Sequence, residues 1–332
     1  MSQKASGLVS VITPAFNAAA HLSETVESCL NQSYADFELL VVDDGSTDDT
    51  ASIAHRYGKH DDRIRLFRIP NGGSSVARNM ALNNARGGFL ALLDSDDLWM
   101  PDYLERQITT LANHPSADVV TANAINLGGH LDGKPYWPAS EDVRPISMLE
   151  MIRRENAIHI FSVFRRSVVD RIGRFDEAFR GNEDYDFWLR AAAAGCQFVA
   201  DFTPGGYYRR RADSLSADER QMIKGIMSVL RSIQPSCHPD GPEARAIDSQ
   251  LRRFQRQLLV LEARICIANG DSIGAVRFLE RIPDSDRGGT LSALLAVAQI
   301  WPSLLSYSYQ AKRAVREVRA NLAHRHVRRN QT

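Results

Sequence analysis

What most constrains this chain is the alternation, between Leu8 and Leu93, of short aliphatic runs with stretches of helical periodicity. LVSVIT (Leu8 to Thr13) and FELLVVD (Phe37 to Asp43) are rich in β-branched and aliphatic residues and show no in-out alternation, the pattern of strands covered on both faces. Between them Leu22, Val26, Cys29 and Leu30 recur at helical spacing. The pattern continues: Asp48 to Tyr57 is helical and stopped by Gly58, Ile64 to Ile69 is extended, Val76 to Ala85 is helical and stopped by Gly87-Gly88, and Phe89 to Leu93 is extended. Pro101-Asp102 opens another helix, with Asp102 and Glu105 spaced as a capping box, and Val119 to Ala122 reads as a further strand. Such alternation predicts an α/β fold with an open, mostly parallel sheet flanked by helices. Residues 123 to 158 are less regular, and beyond about Ser216 the pattern is helical throughout. There Ile265 to Pro283 reads as two helices joined at Asn269-Gly270-Asp271. The expected organisation is one α/β domain over residues 1–215 and an all-helical C-terminal region over 216–332.

Formal charge cancels, 40 basic against 40 acidic, but its distribution does not: from Gly205 onward there are 21 basic and 12 acidic residues, against 19 and 28 before. Acidic clusters in the α/β part suit a hard cation, whereas a basic tail suits an anionic surface. Cys29, Cys196, Cys237 and Cys266 form no CxxC pair and sit in apolar or helical patterns, as reduced, buried thiols do. The N-terminal MSQKASGLVSVITP lacks the apolar core and cleavage site of a signal peptide, so a cytoplasmic protein is expected. Gly289 to Ala311 carries no charge, but Pro302 and its many polar residues make it a poor spanning helix. Lys312 to Thr332 holds seven basic residues and one acidic. Two readings stand for it: a solvated helical face, or a peripheral contact with the inner face of a membrane. A nucleic-acid surface is not expected, because recognition aromatics are not interleaved with the arginines.

Ligands of open α/β sheets bind outside the carboxyl ends of the strands. The polar clusters fall there: Thr13-Pro14-Ala15-Phe16-Asn17, Asp43-Asp44-Gly45-Ser46, and Asp94-Ser95-Asp96-Asp97. TPAFNAA has none of the glycines of a dinucleotide-binding turn, and no Gly-Lys-Ser/Thr loop follows a strand, so phosphate charge must be met otherwise. A Mg²⁺ or Mn²⁺ ion held by Asp94 and Asp96 would do so, since such ions take few protein carboxylates and fill their remaining positions with phosphate oxygens and water. Three carboxylates without counter-charge within four positions would otherwise repel. The competing readings are local: Asp43 and Asp44 as turn and cap residues, Asp96 and Asp97 as caps, Glu183 and Asp184 as first-turn acids favoured by the helix dipole.

VSVITPAFNAAAHLSETVESCLNQSYADFELLVVDDGSTDDT, NGGSSVARNMALNNARGGFLALLDSDDLWMPDYL and GRFDEAFRGNEDYDFWLRAAAAG, in that order, closely resemble the family 2 glycosyltransferases, inverting enzymes of the GT-A fold, over roughly the first 215 residues. The resemblance implies that Thr13 and the backbone around Ala15 line a nucleotide pocket. It implies also that Asp44, with Asp43, accepts the imide N–H of a uracil or thymine base, favouring a UDP- or dTDP-sugar donor. Asn71, Gly73 and Arg78 are placed on the base and ribose side. Asp94-Ser95-Asp96 matches the DxD motif, with Asp94 near ribose and metal and Asp96 a direct ligand. Glu183-Asp184 matches the late acidic pair whose aspartate is the general base. One departure stands out: YRRRADSLS (Tyr208 to Ser216) has Arg211 where relatives have a metal-proximal His, and an arginine can contact a diphosphate but cannot ligate a cation. The implied function is transfer of a sugar to a hydroxyl of a glycan or lipid-linked acceptor in cell-surface polysaccharide synthesis. The runner-up is a catalytically silent nucleotide-sugar-binding scaffold of the same fold.

Overall fold

In the computed structural model, which describes residues 7–211 and 218–300, the aliphatic runs form strands because both of their faces find helices. β1 (Val9–Ala15), β2 (Phe37–Asp43), β3 (Ile64–Arg68) and β4 (Phe89–Leu92) pair in parallel in the order β3-β2-β1-β4. Val9, Val11, Ile12, Leu39 to Val42 and Leu90 to Leu92 are all buried, odd and even positions alike, as a sheet sandwiched between helices requires. The intervening helices are α1 (Leu22–Leu30), α2 (Thr50–Gly58) and α3 (Ser74–Asn84).

Beyond β4 the sheet becomes mixed. β5 (Leu98–Trp99) and α4 (Tyr103–Asn113) precede β6 (Val119–Leu127); β7 (Val143–Ile146), α5 (Met148–Arg153), β8 (Ser162–Arg165), α6 (Arg166–Ile172), α7 (Glu183–Ala193) and β9 (Phe198–Arg209) follow. β8 runs antiparallel to both β4 and β6, β9 is parallel to β6, and β5 and β7 are antiparallel to β9. The fold class is therefore the one expected, a large central sheet flanked by helices, with its parallel ladder concentrated in the N-terminal half. The capping box does not form: Asp102 makes no side-chain cap bond to α4, and Glu105 instead accepts from Ser33 Oγ at 2.7 Å. A tertiary partner has taken the carboxylate that the local motif would have used.

The chain divides into two compact units, Met1–Gln250 and Leu251–Thr332. The first also holds α8 (Glu219–Ile233), and α9 (Pro242–Ala268) starts within it. In the second, the end of α9 turns at Gly270 (φ 81°) into α10 (Ser272–Glu280), with Asp271 capping Gly274 N–H at 2.7 Å, and α11 (Asp284–Ile300) follows. Leu259, Ala263, Ala275, Leu279 and Ile282 form its core, giving the helical hairpin that the Asn-Gly-Asp junction announced. Cys29 and Cys196 are buried, Cys237 and Cys266 partly so, and none of the four is in a disulfide. Among the described residues no helix is long and apolar enough to cross a membrane. The basic stretch from Lys312 lies outside the described residues.

Candidate active site

The carboxyl ends of β1 and β2 are tied to the loop that opens α3. Asp44 is buried at the end of β2, and its two carboxylate oxygens accept Gly72 N–H and Gly73 N–H, each at 2.8 Å. Its own N–H donates to Ala15 O at 2.8 Å, and its carbonyl accepts Asn71 Nδ2 at 3.0 Å. Only glycine suits position 45: φ is 74°, and an added Cβ would lie 2.8 Å from Asn71 N. Asp43 accepts Ser46 N–H at 3.0 Å and pairs with Arg68 Nε at 3.1 Å. Thr13 is fully buried, with an Oγ1 that has no hydrogen-bond partner. Ala15, Asp43, Asp44, Asn71 and Gly73 are thus brought together at one edge of the sheet. Beside them sits Phe16, half exposed, an apolar member of the cluster after β1 that its exposure marks out.

Arg78 carries this edge to the acidic centre. It lies on α3, is 4% exposed, and its guanidinium bonds Glu183 Oε1 through Nη1 and Asp94 Oδ1 through Nη2, the latter at 2.8 Å. Asp94, just past β4, and Glu183, first residue of α7, are therefore held by one fork. Arg78 is expected with Asn71 and Gly73 on the base and ribose side; α3 begins at that loop, but its next turn places Arg78 between the two acid clusters. Burial opposes the charge of Arg78, yet Asp94, Glu183 and Asp184 together more than offset it and raise its pKa. Burial likewise pushes Glu183 up, but Arg78 and the Ser74 hydroxyl, 2.6 Å away, leave its carboxyl below the usual range. Asp184 has weaker support, from the Arg78 charge and the Tyr185 N–H. Burial, and then the neighbouring Glu183 charge, push it up to about 6. It accepts Tyr185 N–H at 2.8 Å and faces a small cleft lined by Arg154, Glu155, Ile158 and Tyr185.

The acidic pair is positioned from a direction that its own sequence does not reveal. Asn182, the residue before α7, adopts the left-handed conformation (φ 63°) and donates to Met222 O of α8 at 3.4 Å. Gly225 of α8 makes the approach feasible, since a Cβ there would stand 2.2 Å from Asn182 Nδ2. A glycine inside a helix is otherwise unfavourable by about 1 kcal/mol, and this close approach accounts for it.

The third cluster is not the uncompensated set that the sequence suggested. Besides the Arg78 bond to Asp94, Asp96 Oδ2 lies 3.5 Å from Arg211 Nη1, and Asp97 Oδ1 accepts Arg209 N–H at 2.8 Å. Arg209 Nε also donates to Asp96 O at 2.7 Å, and Ser95 O accepts Thr25 Oγ1 at 3.0 Å. Even so, burial and then Asp94 raise the Asp96 carboxyl, and burial with Asp96 and Asp94 holds Asp97 well above the carboxylate range, its Oδ2 without a partner. Among the described residues no group of three or more His, Cys, Asp or Glu side chains is arranged as a metal cage. Two partly exposed carboxylates, one of them short of counter-charge, fit a cation of the kind that takes few protein ligands and completes its shell with phosphate oxygens and water.

Residues 10–173 match the model of glycosyl transferase family 2. A Rickettsia typhi protein named only as a glycosyltransferase is 34% identical over 191 residues, 56% of this chain. The putative teichuronic acid biosynthesis glycosyltransferase TuaG of Bacillus subtilis is 49% identical over 119 residues, 36% of this chain. These matches cover 58% and 47% of the two relatives, so the chain spans about half the length of the curated relatives it matches. The fold is similar to that of S. aureus TarS 1-349 in complex with UDP-GlcNAc, with a TM-score of 0.61, 21% identity and 92% of each chain covered. It is similar also to that of the mannosyltransferase PcManGT from Pyrobaculum calidifontis in complex with GDP-Man and Mn²⁺, with a TM-score of 0.57, 18% identity, and 90% of this chain and 84% of that one covered. Residues 10–173 therefore carry a glycosyl transferase family 2 domain.

Proposed function

We propose that this protein is an inverting glycosyltransferase that moves a sugar from a nucleotide-diphosphate donor, UDP- or dTDP-linked, to a hydroxyl of a glycan or lipid-linked acceptor in cell-surface polysaccharide synthesis. The observation that carries the reading is the Arg78 fork, which joins the DxD aspartate to the late acidic pair across 89 residues of sequence. A scaffold without chemistry has no need of Asp184, a carboxylate whose ionised form the surrounding fold disfavours, in the lining of a cleft.

Each residue then has a task. The Asp44-organised edge receives the base, and the face of Phe16 offers a surface on which it stacks. Asp94 and Asp96 would hold Mg²⁺ or Mn²⁺, whose chemistry is to neutralise charge on the diphosphate leaving group. Arg211 lies beside Asp96 and adds a donor for the same diphosphate. Glu183 stays ionised and bound to Arg78 and Ser74, which removes it from contention as a base. Asp184, its pKa pushed up to about 6, accepts the acceptor's hydroxyl proton as that oxygen attacks the anomeric carbon from the face opposite the leaving group, so the configuration inverts.

Calorimetry with UDP, with and without Mn²⁺, and a hydrolysis screen over nucleotide sugars test the proposal. UDP is expected to bind in a metal-dependent way that Asp96→Ala removes, and at least one nucleotide sugar is expected to turn over. Metal-independent tight binding would overturn the assignment of Asp96. UDP binding with no turnover of any donor, acceptor supplied or not, would leave the silent scaffold.

A further inference from the structure

β9 ends at Arg209 and Arg210 N–H still bonds Leu127 O, and along Tyr208-Arg209-Arg210-Arg211 alternate side chains make their contacts on opposite sides. Arg209 and Arg211 face the DxD cluster: Arg209 reaches Asp96 O and Glu24 Oε2, and Arg211 approaches Asp96 Oδ2. Tyr208 and Arg210 face the other way, into an aromatic cluster with Tyr136 and His159. We infer that Arg210, with Tyr136 and Tyr208, forms a subsite for an oxyanion, phosphate or carboxylate, carried by the acceptor whose hydroxyl is deprotonated at Asp184. The inference rests on the glycosyltransferase reading and adds to it the chemical class of the acceptor.

The first support is the charge of Arg210. Its Nε donates to the neutral Asn126 Oδ1 at 2.8 Å, and among the described residues no carboxylate pairs with it. Arg78, Arg209 and Arg211 each pair with one. The guanidinium is instead oriented by two rings, its carbon 4.7 Å from the Tyr208 centroid and 5.5 Å from that of Tyr136. Such stacking engages the faces of the group and leaves its terminal N–H donors in the plane, the arrangement that suits a bidentate oxyanion.

The second support is the floor. His159 is buried, edge-on to Tyr136 at 4.6 Å and to Tyr208 at 5.1 Å. Its Nδ1 accepts Phe161 N–H at 3.2 Å, and burial, reinforced by Arg210, pushes its pKa down to about 3. The ring is therefore neutral, with its proton on Nε2, which has no protein partner. The floor adds rigidity without a second charge, and Arg210 is left as the cation that selects.

The third support is location. The Tyr136 phenol lies within electrostatic reach of Arg210, Asp184, Asn156 and Glu155. Asp184 and Glu155, with Arg154, line the cleft beside it. An acceptor with one hydroxyl at Asp184 has the Tyr136 ring as its neighbour, and an oxyanion further along the same acceptor meets Arg210. A neutral acceptor would bury the tyrosine faces but leave the arginine donors unmatched.

The test uses the full chain saturated with UDP and Mn²⁺, with methyl glucoside, glucose 6-phosphate and glucuronic acid as probes, their affinities read by saturation-transfer NMR titration. One or both anionic sugars should bind about 10- to 100-fold more tightly than methyl glucoside, the worth of a charge-assisted hydrogen bond. Which of them does so tells phosphate from carboxylate. Arg210→Gln should erase the difference while leaving UDP affinity unchanged. If that variant fails to fold, Arg210→Lys, which keeps the charge and loses the planar fork, should reduce the preference severalfold. Equal affinity for the three sugars, or a preference that survives in the variant, overturns the inference. So does a loss of UDP affinity in Arg210→Gln as large as the loss of the anionic sugar, since Arg210 would then belong to the donor. Failure of the wild-type chain to bind either UDP or dTDP would instead remove the glycosyltransferase reading beneath it.

Discussion

Replacing Asp184 by asparagine should make the protein more stable while destroying its activity. At pH 7.5 the carboxylate is ionised in the folded and the unfolded chain alike. Its folded pKa is pushed up to about 6 by burial and by Glu183, against about 3.9 in an unfolded chain, so holding it ionised in the fold costs about 3 kcal/mol. The sign follows from proton uptake. Between about pH 4 and 6 the folded chain binds a proton that the unfolded chain has released, so this contribution favours folding below pH 4 and is lost as pH rises through 6. Asparagine is neutral throughout, and its Oδ1 can still accept the Tyr185 N–H that Asp184 accepts now. Asp184→Asn should therefore raise the urea-unfolding free energy by about 1–3 kcal/mol at pH 7.5, with the gain fading to nothing near pH 4. Sugar transfer should fall by roughly 10²- to 10⁴-fold, the usual worth of a general base, with UDP affinity unchanged. In the wild type, the acid limb of the rate profile should have its midpoint near pH 6. A variant destabilised at pH 7.5 would refute the claim that Asp184 is held ionised against its surroundings. Full transfer activity would move the base elsewhere.

Arg78→Lys cannot span Glu183 and Asp94 together, and leaving one buried carboxylate without its partner should cost about 3 kcal/mol; a thermal melt lowered by several degrees, with a fall in kcat/KM, is the expected result, and an unchanged melt would show that the fork does not hold the centre. Arg211→His restores an imidazole beside Asp96, so the Mn²⁺ concentration giving half-maximal UDP binding should drop several-fold. An unaltered Mn²⁺ dependence in calorimetry would mean that position 211 does not approach the cation.

The N-terminal half of the sheet was legible because its evidence is local. Both-face burial writes itself into runs such as Leu39 to Val42, and the polar residues that follow such runs must lie at strand ends. The rest of the sheet was less so: Val143–Ile146 includes Arg144 and Pro145, and β9 breaks its register against β6 twice, so neither offers a clean period. The polar clusters were found as clusters, but not as circuits. Nothing near Asp94 in sequence announces Arg78, which lies a helix and a strand away, and nothing near Asn182 announces Gly225. The three arginines at 209 to 211 show the difference most clearly. As sequence they are one basic patch; the end of β9 turns them to opposite sides, two toward Asp96 and one toward Tyr136 and Tyr208. A charge run therefore carries two meanings here, and only the strand's period of two separates them. The same period explains why Arg211, where a histidine was looked for, still lies beside Asp96: the backbone, not the residue type, decides which face position 211 serves.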